Sequence, residues 1–257
     1  MNLFRRSIKI IRKKGLLAFL GKVSMFIINK IKVNCFKIWV RTNPQRAIVQ
    51  LRNFNSTNLE EIFNFSWHFY SGLIRPMQIK EEFLELLKIF QKQNPKYILE
   101  IGTANGGSLF CFCKLAQDNA TIISIDLPGG KFGGGYPKWK IPIYKAFAKE
   151  NQRLYLLRKD SHREETLEEV KRILNGNQLD FLFIDGDHSY EGVKKDFEMY
   201  SPLVKKGGII AFHDIAPGGE KELGVPVFWK EIKKHFDFDE FIYDINQKDH
   251  AIGILYV

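Results

Sequence analysis

The sequence predicts an α/β fold: a doubly wound, mostly parallel sheet of seven strands with helices on both faces. Two observations carry this expectation. From about residue 75 onward, short apolar runs alternate with segments of helical spacing, the pattern of strand–helix–strand units whose strands lie parallel. The runs also end on acidic residues, at Glu100, Asp126, Asp160, Asp185 and Asp214. Doubly wound sheets bind ligands outside the carboxyl ends of their strands, and a carboxylate repeated there on five strands is not the distribution of ordinary turn formers.

At 257 residues and 45% hydrophobic content, the chain suffices for one such domain plus an appendage. We divide it into a basic helical arm (1–41), a linker and cap (42–74) and the α/β domain (75–257). The net charge of +10 is uneven: residues 1–52 hold 13 Lys or Arg and no acidic residue, leaving 26 basic against 29 acidic residues in the body. Three cysteines, Cys35, Cys111 and Cys113, show no metal-ligand spacing and suit a reducing, cytoplasmic compartment.

In the arm, Leu16, Leu20, Val23, Ile27 and Ile31 recur every three or four residues, as one face of a helix does. Its apolar runs are too short to cross a bilayer, and no small-residue cleavage site follows a continuous apolar core. Basic residues with Phe19, Phe26, Phe36 and Trp39 suit a helix lying on the anionic inner face of a membrane. The same pattern also suits a helix packed on the body or on a second copy in a homo-oligomer. No nucleic-acid motif accompanies the charge, so nucleic acid is not an expected partner.

Leu59–Tyr70 is aromatic-rich and helical in pattern. A helix follows with Ile79, Phe83, Leu86, Leu87 and Phe90 on one face, stopping at Asn94-Pro95. Then comes the stretch the chain is organised around, YILEIGTANGGS (97–108): an apolar strand, a glycine turn, and an apolar helix over Leu109–Leu115. Further strands are expected over 120–126, 154–160, 179–185 and 208–214, with helices over 144–149, 163–174, 191–204 and 226–236. Residues 240–245 and 251–257 are expected to close the sheet as an antiparallel hairpin.

The central turn reads E-x-G-x-x-x-G-G rather than the G-x-G-x-x-G of a dinucleotide site. A carboxylate at its start repels a pyrophosphate and suits a cationic amino-acid head group. The motif resembles motif I of the class I S-adenosylmethionine-dependent methyltransferases. That resemblance implies that Glu100, Gly102, Thr103, Gly106, Gly107 and Ser108 hold the methionine end of S-adenosylmethionine, that Asp126 meets the ribose hydroxyls and that Asp160 with Ser161 meets the adenine. A glycine-rich loop from Pro128 to Gly135 is a candidate lid.

Asp185-Gly186-Asp187-His188 and His213-Asp214 follow neighbouring strands and present carboxylates and imidazoles to one crevice. Oxygen ligands suit Mg²⁺, and an added imidazole shifts preference toward Mn²⁺. His188 is the candidate proton acceptor; its bland alternative is a helix cap ahead of Ser189.

The stretch IDGDHSYEGVKKDFEMYSPLVKKGGIIAFHDI, with EIGTANGGS upstream, is similar to the class I group that includes the macrolide-sugar O-methyltransferases and cephalosporin hydroxylase-like proteins. The resemblance covers residues 75–257 and implies a Rossmann-like methyltransferase fold. It also implies Asp185 and Asp214 as ligands of a divalent metal, Asp185 also as part of the cofactor site, and His188 as base. His213 departs from it, standing where the macrolide enzymes have an acidic residue. The expected activity is O-methylation of a small-molecule acceptor, a sugar or a glycan precursor. Two other readings are a metal-dependent hydroxylase, against which no H-x-D…H triad is evident, and a non-catalytic adaptor at a membrane.

Overall fold

The computed structural model describes residues 38–129, 135–216 and 224–257. The arm up to residue 37 and the middle of the glycine-rich loop lie outside the described residues.

Seven strands form one sheet: β1 (Tyr97–Ile101), β2 (Thr121–Ile125), β3 (Arg153–Leu157), β4 (Leu179–Ile184), β5 (Val204–His213), β6 (Asp237–Phe241) and β7 (Ile252–Tyr256). Their spatial order is β3-β2-β1-β4-β5-β7-β6. β1 to β5 pair in parallel, and β7 runs antiparallel to both its neighbours. The sheet is therefore mixed at one edge, as the expected terminal hairpin requires. The winding direction reverses between β1 and β4, which makes the carboxyl ends of those two strands the switch point.

The helices are α1 (Pro44–Asn53), α2 (Leu59–His68), α3 (Lys80–Gln93), α4 (Gly107–Leu115), α5 (Ile141–Lys145), α6 (Glu164–Leu174), α7 (Tyr190–Tyr200) and α8 (Val225–Ile232). Two apolar clusters cover the two faces of the sheet. One joins α1 to α5 to the face carrying Ile98, Ile122 and Phe181; the other joins α6 to α8 to the face carrying Leu99, Ile123 and Leu182. The alternation follows from the two-residue period of a strand, which sends neighbouring side chains to opposite faces. Aromatic rings lock the first cluster: Phe112 lies 4.9 Å from Phe90 and 5.3 Å from Phe181. Each such ring contributes about 1.5–3 kcal/mol on burial.

Residues of the segment 42–74 pack into the first cluster. Phe65 of α2 stacks on Phe110 of α4 at 5.4 Å, and Ala47, Leu51 and Ile62 are fully buried. Cys111 and Cys113 are buried in α4, where burial pushes the Cys111 thiol up to about 12.

Several boundaries differ from the sequence expectation. α7 ends at Tyr200, and β5 begins at Val204, where it pairs with Leu179 across a register shift. α5 starts at Ile141 with Pro142 in its first turn, where a missing N–H costs nothing. β6 begins at Asp237, so residues 242–251 form a loop rather than the end of a strand. That loop is held by Glu82, a buried residue of α3. Its Oε1 accepts from Tyr243 N and Gln247 Nε2, and its Oε2 accepts from Ala251 N.

Candidate active site

The site is built on the backbone of Gly102, directly after β1. Its φ is +98°, and a Cβ there would stand 1.9 Å from the carbonyl oxygen of Asp185. Only glycine allows the first turn to lie against the residue that closes β4. Asp185 N in turn donates to Ile101 O at 2.8 Å, and Gly102 N to Ile125 O at 2.9 Å, so three strand ends are tied at one level. Gly106, with φ +82°, precedes α4 as its N-cap and brings no capping side chain. The first-turn N–H groups of α4 thus have no side-chain acceptor. Gly107 lies under the segment entering from residue 74, where a Cβ would meet Pro76 N at 2.3 Å.

Glu100 and Asp126 occupy different environments. Glu100 faces α4 and is fully buried; Ser108 Oγ donates to its Oε1 and Ser124 Oγ, at 3.0 Å, to its Oε2. Thr103 bonds the same Ser124 hydroxyl. Burial raises the Glu100 carboxyl to about 8 against the pull of those hydroxyls. Asp126, after β2, accepts from Ala104 N at 2.8 Å, and burial raises it to about 6. Asp160 lies beyond the end of β3 and accepts from His162 N at 2.9 Å. The adjoining Ser161 carbonyl receives the Tyr200 hydroxyl at 2.7 Å. These two residues shape the turn into α6, on the β3 side of the crevice.

Beyond β4 and β5 the polar residues converge. Asp185 Oδ1 lies 3.1 Å from His213 Nδ1 and 3.5 Å from His188 Nε2. His188 Nδ1 lies 3.2 Å from Asp214 Oδ2, and His213 Nδ1 lies 3.4 Å from Asp214 Oδ1. His188 does not cap the following helix. That role falls to Ser189, whose Oγ accepts from Gly192 N at 3.1 Å.

The charges are mutually supporting. Burial disfavours a charged His213, yet Asp185 and Asp214 hold its ring well above the ordinary imidazole range. Burial likewise opposes ionisation of Asp214, but His213, His250 and His188 together keep that carboxyl well below its ordinary value. Among the described residues two groups bring donor atoms within 4.8 Å of one another: Asp185, His188 and Asp214, and His213, Asp214 and His250.

Two further residues join this centre. Gln78, from the segment before α3, donates its amide to Asp185 Oδ2 at 2.7 Å. His250, from the β6–β7 loop, lies against His213 and Asp214. Neither stands near the others in sequence, and no local motif marks them.

Residues 99–215, from within β1 to just past β5, match the family model described as a methyltransferase domain. A protein of Sinorhizobium fredii is 32% identical over 170 residues, covering 63% of this chain and 17% of the relative. A protein of Acanthamoeba polyphaga mimivirus is 30% identical over 169 residues, covering 60% of this chain and 63% of the relative. The chain thus spans less than two thirds of either relative.

Among solved structures, an O-methyltransferase from Bacillus cereus in complex with SAH superposes with a TM-score of 0.51 at 17% identity, over 80% of this chain and 93% of that one. A TDP-rhamnose 3'-O-methyltransferase of calicheamicin biosynthesis superposes with a TM-score of 0.53 at 20% identity, over 82% of this chain and 92% of that one. These likenesses establish the class I methyltransferase fold expected from the sequence.

Proposed function

We propose that this domain transfers a methyl group from S-adenosylmethionine to a hydroxyl of a small-molecule acceptor, a sugar or a glycan precursor. The observation that carries the reading is the position of His188. It is held between Asp185 and Asp214 at the carboxyl ends of β4 and β5, beside the turn at Gly102.

The crevice suits the cofactor chemically. The uncapped first turn of α4 offers N–H groups to a carboxylate, Glu100 lies beneath that turn, and Asp126 stands at the end of β2, where ribose hydroxyls are met in doubly wound sheets. S-adenosylmethionine supplies a methyl group already made electrophilic by its sulfonium. The chain's task is to align the acceptor oxygen and remove its proton.

His188 Nδ1 faces Asp214 Oδ2 and its Nε2 faces Asp185 Oδ1, and the neutral ring is the proton acceptor. The acceptor oxygen gains the methyl group as its hydroxyl proton passes to the His188 imidazole, and the sulfonium leaves as the thioether of S-adenosylhomocysteine. Asp185, Asp214 and His213 would hold a divalent metal, which would acidify a bound hydroxyl. A sugar acceptor is favoured by the resemblance to the macrolide-sugar enzymes and by the likeness to the TDP-rhamnose enzyme. A basic arm at the inner face of a membrane would suit lipid-linked acceptors.

The test uses the full chain, because residues before 75 share its core. Calorimetry should give micromolar binding of S-adenosylmethionine that is lost in Asp126→Ala. Transfer of labelled methyl to a panel of nucleotide sugars should then depend on His188, and an undiminished rate in His188→Ala would sink the assigned base.

A further inference from the structure

The strongest unassigned feature is the second imidazole at the metal-binding end of the crevice. Asp214 leaves β5 in the left-handed region, φ 63°, and His250 and Ala251 enter β7 in the same region, at 64° and 66°. These backbones turn His250 back onto the pair that closes β5. His250 N donates to Asp214 Oδ1 at 3.0 Å, and the His250 ring stacks on His213 with centroids 5.4 Å apart. Glu82, by binding Ala251 N next to it, anchors this arrangement to α3.

His250 Nδ1 lies 3.7 Å from Asp214 Oδ1, beyond hydrogen-bond reach, and is a buried atom with no hydrogen-bond partner among the described residues. His213 Nδ1 approaches the same oxygen at 3.4 Å. One donor atom from each of the three residues lies within 4.8 Å of the others. Ligand atoms at about 2.0–2.2 Å from one tetrahedral ion stand about 3.3–3.6 Å apart, close to the 3.4 and 3.7 Å that separate the two Nδ1 atoms from Asp214 Oδ1. The two oxygens of Asp214 divide the site: Oδ1 faces both imidazoles, and Oδ2 faces His188.

We propose that His213, Asp214 and His250 bind a first-row transition ion, of the Zn²⁺, Mn²⁺ or Fe²⁺ kind, in preference to Mg²⁺. Two nitrogen ligands and one carboxylate are a poor set for Mg²⁺, which takes oxygen donors and keeps its waters, and a good one for ions that accept imidazole. The inference rests on reading this crevice as the reacting centre and changes the metal expected there. It adds His250, which the motif alone does not supply, and leaves His188 beside Asp214 Oδ2 for the acceptor proton.

The experiment is calorimetry of the full chain, freed of metal by a chelator and titrated separately with Zn²⁺, Mn²⁺ and Mg²⁺. Zn²⁺ should bind about 100-fold or more tighter than Mg²⁺. His250→Ala should weaken Zn²⁺ by about tenfold or more, the scale of a lost supporting contact or greater, while leaving Mg²⁺ binding as it was. Zn²⁺ and Mg²⁺ binding within about tenfold of each other, or unchanged Zn²⁺ affinity in His250→Ala, would overturn the assignment.

Should that variant not fold, imidazole ¹⁵N spectra of the unmodified chain decide the matter. Zn²⁺ should shift His213 and His250, and shifts confined to His68, His162 or His235 would overturn it. S-adenosylmethionine binding is measured in the same samples with and without Zn²⁺. Its absence throughout would refute the methyl-transfer reading while leaving the metal result standing.

Discussion

Asp185 Oδ2 receives the amide of Gln78 at 2.7 Å, a bond that joins the end of β4 to a segment 107 residues earlier in the chain. Gln78 is nearly fully buried, so the bond is shielded from water. It leaves Asp185 Oδ1 facing His213 and His188. Gln78, in the segment before α3, therefore sets the orientation of a carboxylate at the carboxyl end of β4.

Gln78→Leu should leave Asp185 Oδ2 buried without a partner and cost about 1–3 kcal/mol. Urea unfolding should show a lower midpoint at unchanged slope. Methyl transfer should fall further than S-adenosylmethionine affinity, because the displaced carboxylate belongs to the acceptor side of the crevice.

Gly102→Ala should be among the most damaging single changes. The added methyl would meet the Asp185 carbonyl at 1.9 Å in a backbone conformation that side chains avoid, at a cost on the order of 2–4 kcal/mol. A lowered melting temperature, with loss of S-adenosylmethionine binding in the fraction that folds, is the expected result.

Ser189→Ala removes the hydroxyl that accepts from Gly192 N at the start of α7. The cost should be about 1 kcal/mol. His188 is the residue just before this cap, so a drop in transfer rate should accompany the loss of stability. Ser189→Asp, which restores an acceptor, should recover both.

Glu100 makes stability depend on pH. Its carboxyl is raised to about 8 in the folded chain from an ordinary value of 4.5. Between those values the folded chain holds a proton that the unfolded chain has released, so stability is full below pH 4.5 and declines as pH rises toward 8. The slope is about 1.4 kcal/mol per pH unit. Glu100→Gln, neutral throughout, should flatten the decline in melts recorded from pH 5 to pH 8; an equal slope in both proteins would contradict it.

Glu82→Ala should loosen the loop carrying His250, because three hydrogen bonds from Tyr243, Gln247 and Ala251 end on that carboxylate. Hydrogen exchange over residues 242–251 should speed up, and Zn²⁺ affinity should fall even though Glu82 touches no proposed ligand.

The sequence by itself determined the alternation of strands and helices, the antiparallel hairpin at the end, and the place of Gly102, Asp126, Asp185 and Asp214 at strand ends. Each of those is written in local spacing: a two-residue period for strands, a period near 3.6 for helices, and glycine where the turn is tight. Tertiary structure alone decided which polar groups meet. Glu100 could be located at the end of β1 from its neighbours, but its burial against Ser108 and Ser124 depends on which helix covers that face. Gln78 and His250 reach the site only because β1, β4, β5 and β7 lie side by side and because left-handed backbone at His250 turns its ring inward. Contacts between residues so far apart in the chain arise from strand order and loop geometry, which no local period encodes.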